Sequence, residues 1–194
     1  MKGDQRTKMV EGAADLVSRR GLGAASMRDL ARHAGTPLGS TYHYFPGGKR
    51  QLVQEAVVLT GERVHTALAE ALRGGPVEGV RTFLEIWRQI LVASDFEAGC
   101  PVLSVSVSES RHGEAGEAVT AARDVFRDWR QVLSDGLVEG GCARAHADSL
   151  GLLVVAAVEG TVGMCRAEGS TTPLDDLEET VVNLIVAAVD DSAR

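Results

Sequence analysis

Residues 26–45, SMRDLARHAGTPLGSTYHYF, gather hydroxyls, a phenol and an imidazole at a spacing that reads as two short helices joined by a tight turn. Ser26 stands where it can N-cap the first helix, with Asp29 three residues later at the capping-box position. Leu30 and Ala34 fall on one face, with small Ala31 beside them where a second helix can approach. Gly35 supplies the turn, since a residue without Cβ takes a left-handed conformation cheaply. Thr36 then reads as a hydroxyl cap and Pro37 as the first position of a second helix running to about Tyr44. That helix is too short and polar for a core helix. Leu38, Gly39, Ser40, Thr41, Tyr42 and His43 present groups suited to base edges and phosphates, while Tyr44 and Phe45 anchor the unit's own core. Lys49 follows at the start of the next helix, where an ammonium and free backbone N–H groups together favour a phosphate.

The rest of the chain must position this stretch. Its composition, 44% hydrophobic but only 4% aromatic over 194 residues, favours helix packing over a β-sandwich. The formal charge of −7 would by itself argue against a nucleic-acid partner. Residues 1–50, however, hold nine Lys or Arg and four Asp or Glu, a net of +5 against −7 for the whole, which leaves −12 for the remainder. The basic charge therefore travels with the helix pair. Cys100, Cys142 and Cys165 are odd in number and form no CxxC, so neither a disulfide framework nor a zinc ribbon is indicated. No signal peptide and no uninterrupted apolar run of about 18 residues or more is visible, which points to a soluble cytoplasmic protein without a membrane partner.

Helical periodicity extends along the chain. A first helix over 4–20 ends in Arg19-Arg20-Gly21 and completes a three-helix head; Lys2, Arg6 and Lys8 either reach flanking phosphates or form a solvated basic tail. A long helix from Lys49 to about Arg73 can connect a head to a body, and another runs from Val77 to about Ala93. In 101–109, VLSVSVSE alternates as a strand would, but no second strand signal exists to pair with it, and Pro101 suits a helix start. Further helices are expected over 114–139, 148–168 and from Pro173 to about Asp190.

The first helix ending RRGL, then SMRDLARHAG and GSTYHYFPGGKRQL, together resemble the TetR family of bacterial transcriptional repressors over about residues 7–54. FEAGCPVLSVSVSE is similar to the LmrA/YxaF-like branch of that family. The resemblance implies an all-α homodimer of nine or ten helices, with a DNA-binding helix-turn-helix domain at 1–48 and a ligand-binding and dimerisation domain at 49–194. It implies a repressor, using no cofactor, that a small-molecule inducer releases from double-stranded operator DNA. Arg28, Thr36, Ser40, Tyr42, His43 and Lys49 occupy positions that contact DNA in the family. Thr36, Ser40 and Leu38 suit base edges, and Tyr42, His43 and Lys49 suit phosphates; Pro37 and Thr41 lie in the same stretch, and Ser26 caps its helix and is placed to touch a phosphate. Thr41 replaces the family's usual Leu or Ile, so it is either a weaker core contact or an outward hydroxyl.

One short recognition helix contacts too few base pairs for specificity, and a two-fold dimer on a palindrome, with heads about 34 Å apart, solves this. The last two helices have the composition for that contact, through Ala156, Glu159, Gly160, Gly163, Val181, Leu184, Ile185 and Ala188. Glu159 either meets the partner or faces the pocket. A lipophilic or aromatic inducer is expected inside the helices around Phe83, Trp87, Leu103, Val107, Phe126, Trp129 and Met164, although large aromatics at helical spacing serve equally as core. Cys142 and His146, four apart, lack further ligands for a metal site, and nothing near Cys100 lowers a thiol pKa. An enzyme is the rival reading, but no GxSxG, HExxH, P-loop or GxGxxG motif is present and no catalytic residue is assigned. A helical small-molecule-binding protein without DNA function is the other rival, and the basic head argues against it.

Overall fold

The computed structural model describes residues 2–108 and 116–190, and among these every regular element is helical. The α-helices are α1 Lys2–Arg20, α2 Met27–His33, α3 Leu38–Tyr44, α4 Gly48–Ala71, α5 Pro76–Ala93, α6 Pro101–Ser106, α7 Gly116–Glu139, α8 Arg144–Glu168 and α9 Thr172–Asp190. A 3-10 turn, Leu72–Gly74, follows α4. The expected ends at Glu109 and Glu114 lie outside the described residues.

The alternating segment is helical because its two residue types divide between core and backbone. Val102 and Val105, three apart, are buried. Ser106 turns its Oγ to the Leu103 carbonyl at 2.9 Å, and the Cys100 Sγ accepts from Leu103 N at the start. The helix begins with Pro101, as the missing N–H allows. In α8 the start is Arg144 rather than Asp148. Gly140-Gly141 is used up in the preceding turn, with Gly141 at φ 105°, and Arg144 Nη1 donates to Asp135 Oδ1 at 2.7 Å, fastening the first turn of α8 to α7.

Two compact units form. The first comprises residues up to Glu62 together with Cys100–Val125; the second comprises Arg63–Gly99 and residues from Phe126 onward. In the first, Met9, Ala13 and Leu16 of α1, Met27 and Leu30 of α2, Phe45, and Leu52 and Ala56 of α4 make one buried apolar cluster. In the second, Phe83, Leu84, Trp87 and Leu91 of α5 are fully buried, as are Trp129, Leu133 and Leu137 of α7. Val154, Val158 and Val162 of α8 and Leu174, Val181 and Ile185 of α9 are buried too. Gly151 lets α8 meet α7 at backbone distance: a Cβ there would lie 2.8 Å from the Arg130 carbonyl oxygen. Arg88 reaches Asp175 and Glu178, adding a charged seam between α5 and α9.

Candidate nucleic-acid interface

The reading stretch is built by local caps and one inward anchor. Ser26 Oγ accepts from Asp29 N at 3.2 Å, while Asp29 Oδ2 accepts from Ser26 N at 3.2 Å, closing the capping box at the start of α2. The Ser26 hydroxyl also donates to Asp29 Oδ2. These bonds, with help from Arg32, hold the Asp29 carboxyl below the usual carboxylate range. At the other end, Gly35 has φ 64° and donates to the Arg32 carbonyl at 3.1 Å, and Thr36 N donates to Ala31 O at 2.9 Å. This pair of bonds is a Schellman stop, which turns the chain into α3.

The start of α3 departs from the expectation in one respect. Pro37 is the N-cap residue, in extended geometry and without a side-chain cap, and the helix begins at Leu38. The Thr36 hydroxyl points back to the Ala31 carbonyl at 3.3 Å instead of capping forward. Thr41, grouped with the DNA-facing residues, is buried at 1% exposure, and its Oγ1 donates to the Pro37 carbonyl at 3.3 Å. A methyl and a hydroxyl that satisfies itself on the backbone fill the inward position that a larger aliphatic would otherwise occupy. Pro37, Gly39, Tyr42 and His43 are exposed, with Tyr42 at 52%, and Leu38 and Ser40 are half-buried. Phe45 is wholly buried where α3 ends.

Around this helix, Arg20, Arg28 and Arg32 are exposed, and Asp15 of α1 holds Arg19 at 2.9 Å and His33 of α2 at 2.6 Å. The Lys49 ammonium donates to the Leu22 carbonyl at 2.7 Å, which ties the start of α4 to the loop before α2. Arg6, grouped with Lys2 and Lys8 as a basic tail, is instead bound to Glu55 of α4. The side chain of Lys2 and His112 lie outside the described residues. Arg20, Arg32 and Gly39 are exposed as well, and their signal in the sequence was their place near the turn.

In the second unit, four of the pocket candidates meet. Ring centroids lie 5.7 Å apart for Phe83–Trp129, 6.1 Å for Trp87–Trp129, 6.4 Å for Phe83–Trp87 and 5.7 Å for Phe126–Trp129, all edge to face. The Trp87 Nε1 is buried with no acceptor among the described residues. The other three stand elsewhere: Leu103 belongs to α6 in the first unit, and Val107 and Met164 are 71% and 55% exposed. Val107 follows the last turn of α6 in the first unit, and Met164 is on the outward side of α8.

The interface candidates divide by face. Ala156, Gly160, Gly163 and Leu184 point outward, whereas Glu159, Val181, Ile185 and Ala188 are buried within the chain, where α8 packs on α9. Leu152, Leu153, Met164 and Val186 complete the outward apolar surface, and sequence reasoning missed them in this role because α8 is apolar on nearly every side. Cys142 is buried and His146 exposed, so the pair does not converge, and burial pushes the thiols of Cys142 and Cys165 up.

The model for bacterial regulatory proteins of the tetR family matches residues 9–56, and that for the C-terminal domain of LmrA/YxaF-like transcriptional regulators matches 76–180. An uncharacterised HTH-type transcriptional regulator of Mycobacterium tuberculosis is 34% identical over 192 residues, covering 97% of this chain and 98% of its own. An HTH-type transcriptional repressor of Rhodococcus jostii is 31% identical over 148 residues, covering 72% of this chain and 68% of its own. Among solved structures, a TetR transcriptional regulator from Legionella pneumophila superposes with a TM-score of 0.78 at 18% identity, over 92% of this chain and 95% of the other.

Proposed function

Because the chain belongs to the TetR family and is a DNA-binding transcriptional regulator rather than an enzyme, we propose that it is a cytoplasmic homodimeric repressor that a small aromatic or lipophilic inducer releases from a palindromic operator. The observation that carries this reading is the exposed polar surface of α3, with Tyr42 and His43 outward and Thr41 locked inward. Residues 1–48 form the reading head. Ser40 and Leu38 suit base edges; Tyr42, His43, Arg28 and the amide-rich start of α4 suit phosphates. The outward apolar stripe on α8 and α9 supports pairing with a second copy, because a lone soluble chain rarely leaves such a surface bare.

The inducer site lies at the ring cluster of Phe83, Trp87, Phe126 and Trp129. A buried indole N–H without a partner favours a ligand that carries an acceptor oxygen or nitrogen. Binding there shifts α4, whose first turns belong to one unit and whose last turns belong to the other. The repressor sense follows that of the Rhodococcus jostii relative, a transcriptional repressor.

The test is binding of the purified protein to duplexes spanning the region upstream of its own gene, at two salt concentrations, against a scrambled competitor. Specific binding that weakens steeply with salt is the expected result. Equal binding to native and scrambled duplexes would overturn it.

A further inference from the structure

The first unit contains an open cleft of about 410 Å³ between α1 and α4, lined by Val10, Val58 and Leu59 and by Arg6, Gln51 and Glu55. Its polar residues are joined in series. Arg6 Nη2 donates to Glu55 Oε2 at 2.5 Å, across 49 positions of sequence. Gln51 Nε2 donates to Glu55 Oε1 at 3.0 Å, and Gln51 Oε1 in turn accepts from Gly47 N at 2.9 Å, in the turn between α3 and α4. The Arg6 guanidinium carbon also lies 5.1 Å from the centroid of the Phe45 ring, at the residue where α3 ends.

A seven-residue helix with no side-chain cap at its start cannot hold its own conformation, so its orientation is set by what grips its ends. We propose that Arg6, Glu55 and Gln51 form a clamp that fixes the C-terminal end of α3, which makes Arg6 a positioning residue for DNA recognition and not a phosphate ligand. This rests on α3 being the reading helix. The clamp runs from α1 through α4 to both the ring that ends α3 and the turn that follows it. Its ion pair is only partly shielded, with side chains 43% and 27% exposed, so its contribution is modest and sensitive to salt.

The sign of one substitution separates the two roles. Removing an anion from a DNA-binding surface should tighten binding by simple electrostatics. Under the clamp, Glu55→Gln instead weakens specific binding by about two- to fivefold. Arg6→Ala weakens it by a similar factor while leaving the dependence of log K on log salt unchanged, whereas loss of a phosphate contact would lower that slope by about one. Arg6→Lys keeps the charge but loses the planar fork and the ring stacking, so it rescues only in part. The probe is the upstream duplex bound by the full chain, and amide exchange at Thr41 and Phe45, compared with α8, gives a readout that needs no DNA. Faster exchange confined to α3 in Glu55→Gln is expected. Tighter binding by Glu55→Gln, a slope reduced by one in Arg6→Ala, or unchanged α3 exchange would each overturn the clamp. A wild-type chain that binds no duplex would instead overturn the reading of α3 as the DNA helix, and with it Arg6's role in recognition.

Discussion

The helices α3 and α8 both present a face that the rest of the described residues do not cover, and the two faces are chemically opposite. The seven residues of α3 turn one small side chain, Thr41, inward and leave Tyr42 and His43 in solvent. The twenty-five residues of α8 bury Val154, Val158 and Val162 on one side and still leave Leu152, Leu153 and Met164 bare on the other. Hydrogen-bonding groups on a short helix suit a hydrated polyanion. Aliphatic groups interspersed with Ala156, Gly160 and Gly163 suit a second helix at close range. The difference teaches that exposure alone does not define a partner; the chemistry of the exposed atoms does.

The comparison breaks most sharply at α8. Gly160 has open space around the position of a Cβ, so Gly160→Arg should leave the subunit folded while placing a cation in the apolar stripe. The dimer should be lost, and operator binding should fall by about a hundredfold or more as two linked heads become one. Sedimentation equilibrium alongside DNA titration checks this, and an unchanged dimer mass would remove the stripe from the interface. On α3, Tyr42→Ala should cost about tenfold in operator binding, of the order of one contact, with dimer mass and melting temperature unchanged. A dimer that falls apart in that variant would show that Tyr42 supports the fold.

The smallest effect is in acid. Asp29 in the first unit and Asp135 in the second both have carboxyls held below the usual carboxylate range, the former by Ser26 and the latter by Arg144. A depressed native pKa contributes stability that is fully present above the unfolded value and is lost as pH falls through the native one. Both units should therefore weaken below about pH 4. Trp87 and Trp129, the chain's two tryptophans, lie in the second unit, so their fluorescence reports that unit alone. Asp29→Asn should flatten the acid response of α2 amide exchange and leave the fluorescence transition in place, and Asp135→Asn should do the reverse. If both probes move together in either variant, the two units do not respond to acid separately.

Much of the reading stretch was legible because its determinants are local. Ser26, Asp29 and Gly35 each act within about four residues, so residue type and spacing are enough to place the box and the turn. Pro101 and the lack of a second strand to pair with outweighed the alternation in 101–106, and that competition could also be weighed from the chain alone. What was not legible depends on rotation. Along much of α8, and over 181–189 of α9, nearly every position is apolar, so no polar face marks which side is inward, and Val181, Ile185 and Ala188 could not be told from Leu184. Thr41 carries both a methyl and a hydroxyl and can face either way; only the packed head chooses. The engagement of Arg6 by Glu55 was hidden for another reason, since a pair separated by 49 positions leaves no periodic trace.

The make-up of the first unit also bears on how it assembles as the chain is synthesised. Its helix α1 packs against α6, and the unit closes only with residues 100–125. The ribosome must therefore deliver residues 63–99, which belong to the other unit, before the first unit can be completed. At roughly 5–20 residues per second that interval lasts seconds, far longer than a helix needs to form. During it the face of α1 that later packs against α6 is open to chaperones.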